Sequence, residues 1–343
     1  MKRNCRLRLH CVIHIIKTCY ECIANLIVKE VAALERKKKK QHGFGWSRIW
    51  MRDRELYAMC LAPLVMVVVF RYLPIYGIVM AFERYTPSKG FFHSEFVGLK
   101  YFIQFFRDPF CFRIIKNTVL LSLYSLLWTF PAPILLALLL NEVRHARYKK
   151  LVQTVTYLPH FISVVILVGL MKELFSSVDG IVNRLIVALG GSAVNFFSEP
   201  GWFRSLYIGS SLWQGVGYGS IIYLAALAGI DMEQYEAARI DGANRLQKIL
   251  YITLPGIMPT TVILLIMRMG SLFSNDFQKI LLMYSPATYS TADVISTYTY
   301  RYGLENSNYS YAAAIGLMLS VISFVFVWGA NAFSKKVSEN SLW

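Results

Sequence analysis

Long apolar runs, each interrupted by a few polar or proline positions, alternate along this chain with short polar segments. Several runs exceed the ~18 residues a helix needs to cross a bilayer. They predict spans at about 56–82, 115–140, 151–175, 203–230, 260–284 and 311–333. Span one contains Arg71 and Pro74, span two Pro131 and Pro133, and span three Pro159 and His160. Lipid offers no partner to backbone groups freed by proline, so these positions must face protein or a wet cavity. Residues 180–189 read as a short amphipathic helix between spans three and four. Span four carries Gly209, Gly215, Gly217, Gly219 and Gly229, residues that let membrane helices approach backbone to backbone. The pattern predicts an all-α, polytopic membrane protein of six transmembrane helices with both termini on one side. Residues 51–343 form its membrane domain and 1–50 a separate extension.

The most strongly punctuated polar segment, 231–258, joins spans four and five. It includes EAARIDGANRLQKILYITLP. Asp231 with Gln234 reads as a helix N-cap and its capping-box partner. Ala237 and Ala238 leave room for another surface close to that helix. Gly242 falls where a helix ends in a left-handed residue. Asn244 with Gln247 repeats the capping pattern and opens a second short helix through Tyr251. Leu254 and Pro255 stop it, and Pro259 suits the first turn of the next span.

Composition supports the membrane reading: 56 % of residues are hydrophobic and only 16 % charged. The net charge of +16 is concentrated in the N-terminal segment rather than in a nucleic-acid face, so no nucleic-acid partner is expected. With the N-terminus inside, the inner segments hold 14 (residues 1–55), 4, 3 and 2 Lys or Arg. That bias is the positive-inside rule, and the turn with Arg144, Arg147, Lys149 and Lys150 has the expected sign by itself. The 231–258 segment is then cytoplasmic. The first fifty residues suit an interfacial helix, with the block Arg36 to Lys40 held at anionic lipid. Cys11, His14, Cys19 and Cys22 have spacings open to a zinc site, but the central gap is short and no surrounding fold is evident, so no metal is assigned.

Catalytic chemistry is not expected. The chain has no G-x-x-x-x-G-K-[ST] phosphate loop, no H-E-x-x-H helix and no G-x-S-x-G elbow. Two groups of residues suggest a pathway for solute instead. Arg268, Ser271, Asn275 and Lys279 recur at three- and four-residue steps and share a face if span five is one helix. Asp276 is spaced to pair with Lys279. Arg268 lies nine residues past Pro259, roughly 13 Å into the membrane at 1.5 Å per residue. Ionisable groups at such depth face a pathway or a partner rather than lipid. Span four adds Trp213, Gln214, Tyr218 and Tyr223, aromatic rings and an amide of the kind that recognise sugars.

The spacing Glu-Ala-Ala, three residues, Gly, nine residues, Ile252, one residue, Leu-Pro resembles the coupling loop of binding-protein-dependent ABC import permeases. The segments LPIYGIVMAF (73–82), LLLNEVRHARYKKLVQTVTYLPHFIS (138–163), EPGWFRSLYIGSSLWQGVGYGSIIYLAALAGID (199–231) and TADVISTYTYRYGL (291–304) resemble the polysaccharide- or lipoprotein-type sugar branch, and the terminal VSENSLW is similar to it. The resemblance covers about 52–343. It implies a type I importer permease in the bacterial inner membrane, paired with a second, homologous permease subunit. It also implies an ABC ATPase dimer that binds the ATP and magnesium, an extracytoplasmic solute-binding protein, and oligosaccharide cargo. By the same resemblance Glu236 pairs with a basic group of the ATPase, Ala237 and Ala238 permit close docking, and Tyr235, Asp241, Gly242, Ile249, Ile252, Leu254 and Pro255 shape the docked unit. Two rivals remain: an ABC permease for other solutes, and a secondary transporter. The latter needs its own coupling-ion site and usually an inverted repeat, and no repeat is found.

Overall fold

The computed structural model describes residues 54–337 except 92 and 274. The N-terminal extension, with Cys11, His14, Cys19 and Cys22, lies outside the described residues. Two units are distinguished, with a boundary between Ile75 and Tyr76. In the first, α1 (Arg54–Val67) passes into a π-helical turn at Val68–Tyr72, and a 3-10 stretch, Leu73–Phe82, begins. Met59 and Phe70 of this unit are largely exposed, as suits a helix that meets lipid or another subunit.

The second unit is almost wholly helical. A two-residue antiparallel pair, β1 (Glu83–Arg84) and β2 (Glu95–Phe96), is the exception to the all-α expectation. Then come α2 (Lys100–Arg107), α3 (Cys111–Thr129), α4 (Pro131–Glu142), α5 (Ala146–Tyr157), α6 (Val164–Leu174), α7 (Ile181–Ala188) and α8 (Pro200–Ala228). The polar segment provides α9 (Met232–Ile240) and α10 (Arg245–Lys248), followed by α11 (Leu254–Gly270) and α12 (Phe277–Met283). The chain finishes with α13 (Tyr289–Ala292), α14 (Ile295–Tyr300) and α15 (Tyr309–Val337).

Four continuous helical stretches are long and apolar enough to span: 57–82, 111–142, 245–270 and 309–332. Two bent pairs, counted as one span each, bring the total to six. The predicted third span is one of these pairs, broken by 101° between Phe161 and Val164. Pro159 removes a backbone donor there, and Ser163 caps the new helix by accepting from the Ile166 N–H at 3.4 Å. The predicted fifth span is also corrected. Its helix begins earlier, at Arg245, and stops at Gly270; residues 271–273 form a turn and 275–276 are non-helical.

The long α8 is the central element. It packs on α3, α4, α5 and α11. Its glycines explain how. A Cβ at Gly217 would lie 2.0 Å from the Thr156 carbonyl oxygen, and one at Gly219 would meet the Pro133 ring at 3.0 Å. Ala137, Tyr223, Leu227 and Ile257 tie α4, α8 and α11 together at the end nearest the polar segment. Leu121, Leu167, Phe203, Tyr207 and Ile280 do the same for α3, α6, α8 and α12 farther along. A third cluster, including Phe105, Ile114, Tyr298 and Tyr311, joins α2, α3, α14 and α15. Tyr298 donates to Asp108 there; burial, reinforced by that bond, raises its hydroxyl pKa, so it remains a donor at any ordinary pH.

Candidate functional site

Two places carry the sequence candidates. The first is the 231–258 segment. Asp231 caps α9 by accepting from the Glu233 N–H at 3.0 Å, but Gln234, exposed to solvent, returns no bond to it. Gly242 has φ +76°, the left-handed residue expected after α9. The second capping box forms as expected: Gln247 N–H donates to Asn244 Oδ1 and Asn244 N–H to Gln247 Oε1, both at 2.8 Å.

Leu254 and Pro255 do not end this helix. A π-helical turn at Ile249–Thr253 leads α10 straight into α11, with the Leu254 N–H bonded five residues back to the Ile249 carbonyl. The wider turn places the proline, which has no N–H, at the first turn of α11. Pro259 lies inside α11 rather than at its start. Thr253 Oγ1 donates to the Lys248 carbonyl at 3.2 Å, which leaves Tyr235 as donor in the 2.9 Å bond between their hydroxyls. That bond fastens α9 to the root of α11.

Glu236, Ala237, Asp241 and Pro255 are exposed, while Tyr235, Ala238, Ile249, Ile252 and Leu254 are half-buried. Ile240, Leu246 and Tyr251, absent from the sequence candidates, present large exposed apolar side chains beside them. Their signal was available: large hydrophobes set among the charged and polar residues of 231–248 and in the turn that follows. The arrangement is a small, internally braced platform whose outer surface carries exposed apolar side chains among both acidic (Glu233, Glu236, Asp241) and basic (Arg239, Arg245) ones.

The second place is a cavity of about 630 Å³ between α3, α4, α8 and the 264–279 region. Arg268, Ser271, Asn275, Asp276, Gln214 and Tyr223 line it. They do not share a helical face, since α11 ends at Gly270 and Asp276 is the N-cap of α12, accepting from the Lys279 N–H at 3.1 Å. A turn in the chain brings them together instead. No side-chain pair forms between Asp276 and Lys279: the Lys279 ammonium donates to Ser211 Oγ at 2.8 Å and lies 5.3 Å from the Tyr207 ring centre. Gln214 Nε2 donates to the Ile162 carbonyl at 2.8 Å, a carbonyl left free by the break in the third span.

Two candidates fall elsewhere. Trp213 is one residue, about 100° of helix turn, from Gln214. It lines an apolar hollow with Leu170 and Met171. Tyr218 is exposed and stacks flat on His160, with ring centres 3.9 Å apart. It is His160 that reaches the cavity lining. The sequence candidates omitted Ser122, Ser125 and Thr129 of α3, which also line it. Their three- and four-residue steps along an apolar span were the available sign of a polar stripe. From Tyr207 to Tyr223 the lining follows α8 for sixteen residues, about 24 Å of rise.

The cavity, lined in part by Leu264 and Arg268, and the second half of the platform thus share one continuous helical stretch, 245–270. Comparison with known proteins identifies the family. Residues 112–339 match the family described as binding-protein-dependent transport system inner membrane component. Protein LplB of Bacillus subtilis (strain 168) is 43% identical over 300 residues, 88% of this chain and 94% of that one. The polygalacturonan/rhamnogalacturonan transport system permease protein YteP of the same organism is 42% identical over 293 residues, covering 85% and 91%. A crystal structure of a bacterial ABC transporter involved in the import of the acidic polysaccharide alginate contains a chain 44% identical, with TM-score 0.79, covering 85% of this chain and 98% of that one. The chain therefore belongs to the binding-protein-dependent ABC transporter permeases, as a multi-pass, non-catalytic membrane component of an importer.

Proposed function

We propose that this permease carries oligosaccharides inward across the bacterial inner membrane, receiving them from an external solute-binding protein. A second, homologous permease closes the open side of the cavity, and an ATPase dimer, which holds ATP and magnesium, docks on the 231–258 platform. One observation carries this reading: a cavity lined by hydroxyls, amides and tyrosines is joined to the platform by one unbroken helical stretch, 245–270. Sugars need such a lining, because their ring faces stack on aromatic rings while their hydroxyls exchange hydrogen bonds. The names of YteP and of the alginate transporter support the cargo class.

The helical stretch supplies the mechanism. Tyr235 and Thr253 clamp α9 to it, so a push on Glu236, Ala237 and Ala238 reaches the root of α11 without slack. Arg268 lies twenty-three residues from Arg245, about 35 Å along the helix, and moves with it. ATP-driven displacement of the platform thereby alters the cavity wall, a rigid-body transition of familiar type.

Purification of the tagged chain in mild detergent tests the reading. It should recover a second permease and an ATPase, and the complex with its binding protein should hydrolyse ATP faster when an oligosaccharide is added. Glu236→Lys should leave the chain in the membrane and abolish that stimulation. Recovery of the chain alone, still moving solute in vesicles without ATP, would remove the reading.

A further inference from the structure

Lys279 presents an anomaly for a membrane-embedded wall. The residue is 1% exposed, and its ammonium borders the cavity. Its hydrogen bond goes to a neutral hydroxyl, Ser211 Oγ, and its other neighbour is the face of Tyr207. Among the described residues no carboxylate lies within 4.0 Å of it; the ion pairs are Arg84–Glu95, Arg184–Asp179 and Arg301–Asp293. Asp276, the acid in the same lining, spends an oxygen on the Lys279 backbone N–H as helix cap. A buried ammonium is costly unless paired and fully hydrogen-bonded, and one bond to a serine leaves two of its three donors unused.

Two further donors converge on the same space. Arg268 brings a second cation to the lining and has no ion-pair partner among the described residues. Asn275 Nδ2 is buried and bonded to nothing, while its Oδ1 accepts from Ser122 Oγ at 3.4 Å. Two cations against one acid give the lining a net positive charge; the buried Lys279 and Asn275 donors lack acceptors, and the exposed Arg268 adds its charge at the rim. A neutral sugar hydroxyl accepts at most two hydrogen bonds and brings no charge, whereas a carboxylate offers about four lone-pair sites and the compensating charge.

We propose that Lys279, together with Arg268 and Asn275, recognises the carboxylate of a uronate-containing oligosaccharide in this cavity, and so sets the preference of the permease for anionic over neutral sugars. The inference rests on the oligosaccharide reading and assigns the specificity to named residues. Ser211 and Tyr207 hold the lysine in place from α8. Arg268, on the helix that leads to the platform, brings the second charge, so the contact with cargo involves the moving part of the wall.

The test uses the whole complex, with its binding protein, in vesicles containing ATP. Uptake of tetragalacturonate is compared with that of its methyl ester, a probe of the same rings without the charges. The wild-type complex should take up the acid with a KM about tenfold or more below that of the ester. Lys279→Met, which keeps the bulk of the side chain, and Arg268→Gln, at an exposed position, should each raise the KM for the acid about tenfold and leave that for the ester within about twofold. A purely structural lysine would lower kcat for both sugars alike, and that result overturns the proposal. Equal uptake of acid and ester by the wild type overturns it as well while leaving the oligosaccharide reading intact. A complex that carries neither sugar, yet shows ATP-dependent uptake of another solute class, removes both.

Discussion

At the scale of single residues, a few hydrogen bonds decide whether the platform can transmit force. The Tyr235–Thr253 hydroxyl pair is a part-buried side-chain hydrogen bond that links α9 to the base of α11. Tyr235→Phe keeps the ring and deletes the donor. It should cost about 1 kcal/mol of local stability and reduce, without abolishing, the stimulation of ATP hydrolysis. Steady-state ATPase assays on the reconstituted complex measure this directly; unchanged stimulation would show that α9 is held by packing alone. Most of this platform was legible as a string of residue types. Gly242, Asn244 and Gln247 behave as their spacing predicts, because caps and left-handed turns are local geometry. The continuation through Pro255 was not legible, since a proline reads as a stop unless the π-helical turn ahead of it is known.

Among elements, α8 decides the shape of the cavity. Its glycines are not interchangeable: Gly201, Gly209 and Gly215 face open space, whereas a Cβ at Gly217 would strike the Thr156 backbone. Gly217→Val therefore forces α5 away from α8, displacing the bend next to His160 and Gln214. The expected result is a chain with markedly lower yield and a broad, aggregated profile on size-exclusion chromatography, against a normal profile for Gly209→Ala. A monodisperse Gly217→Val chain with ordinary yield would contradict the contact. The same bend explains why Tyr218 misses the cavity and His160 reaches it. A hydropathy pattern records that a span exists; the 101° break inside it depends on Pro159, Ser163 and the Gln214 amide acting together.

For the whole molecule, the segment between α12 and α15 is organised by a buried ion pair. Asp293 is buried, accepts from Arg301 Nη2 at 2.6 Å and from Thr297 Oγ1 at 2.9 Å, and its backbone carbonyl receives Asn117 Nδ2 from α3. The Arg301 guanidinium also lies 4.7 Å from the Tyr289 ring centre. Removing one partner of such a pair strands a buried charge, which is worse than removing both. Arg301→Met should destabilise the complex by about 3 kcal/mol, seen as a lower melting temperature in detergent. Adding Asp293→Asn should recover part of the loss, because the amide still accepts from Thr297 without a charge. Equal melting temperatures for wild type and Arg301→Met would mean the pair contributes nothing to the fold.

The amino-acid sequence by itself determined the membrane class, the approximate position of the apolar helices and the two capped helices of the 231–258 segment. Each of these follows from hydropathy over a span or from hydrogen bonds a few residues apart, and such short-range physics is written in the order of residues. Only the tertiary structure decided which polar side chains meet. Arg268, Asn275 and Lys279 looked like one stripe on one helix, yet α11 ends at Gly270 and a loop turns the later residues back toward Ser122 and Ser211. The cavity arises from the packing of α3 and α8 around that region, through contacts between residues 68 (Ser211–Lys279) to 153 (Ser122–Asn275) positions apart, which no local pattern encodes.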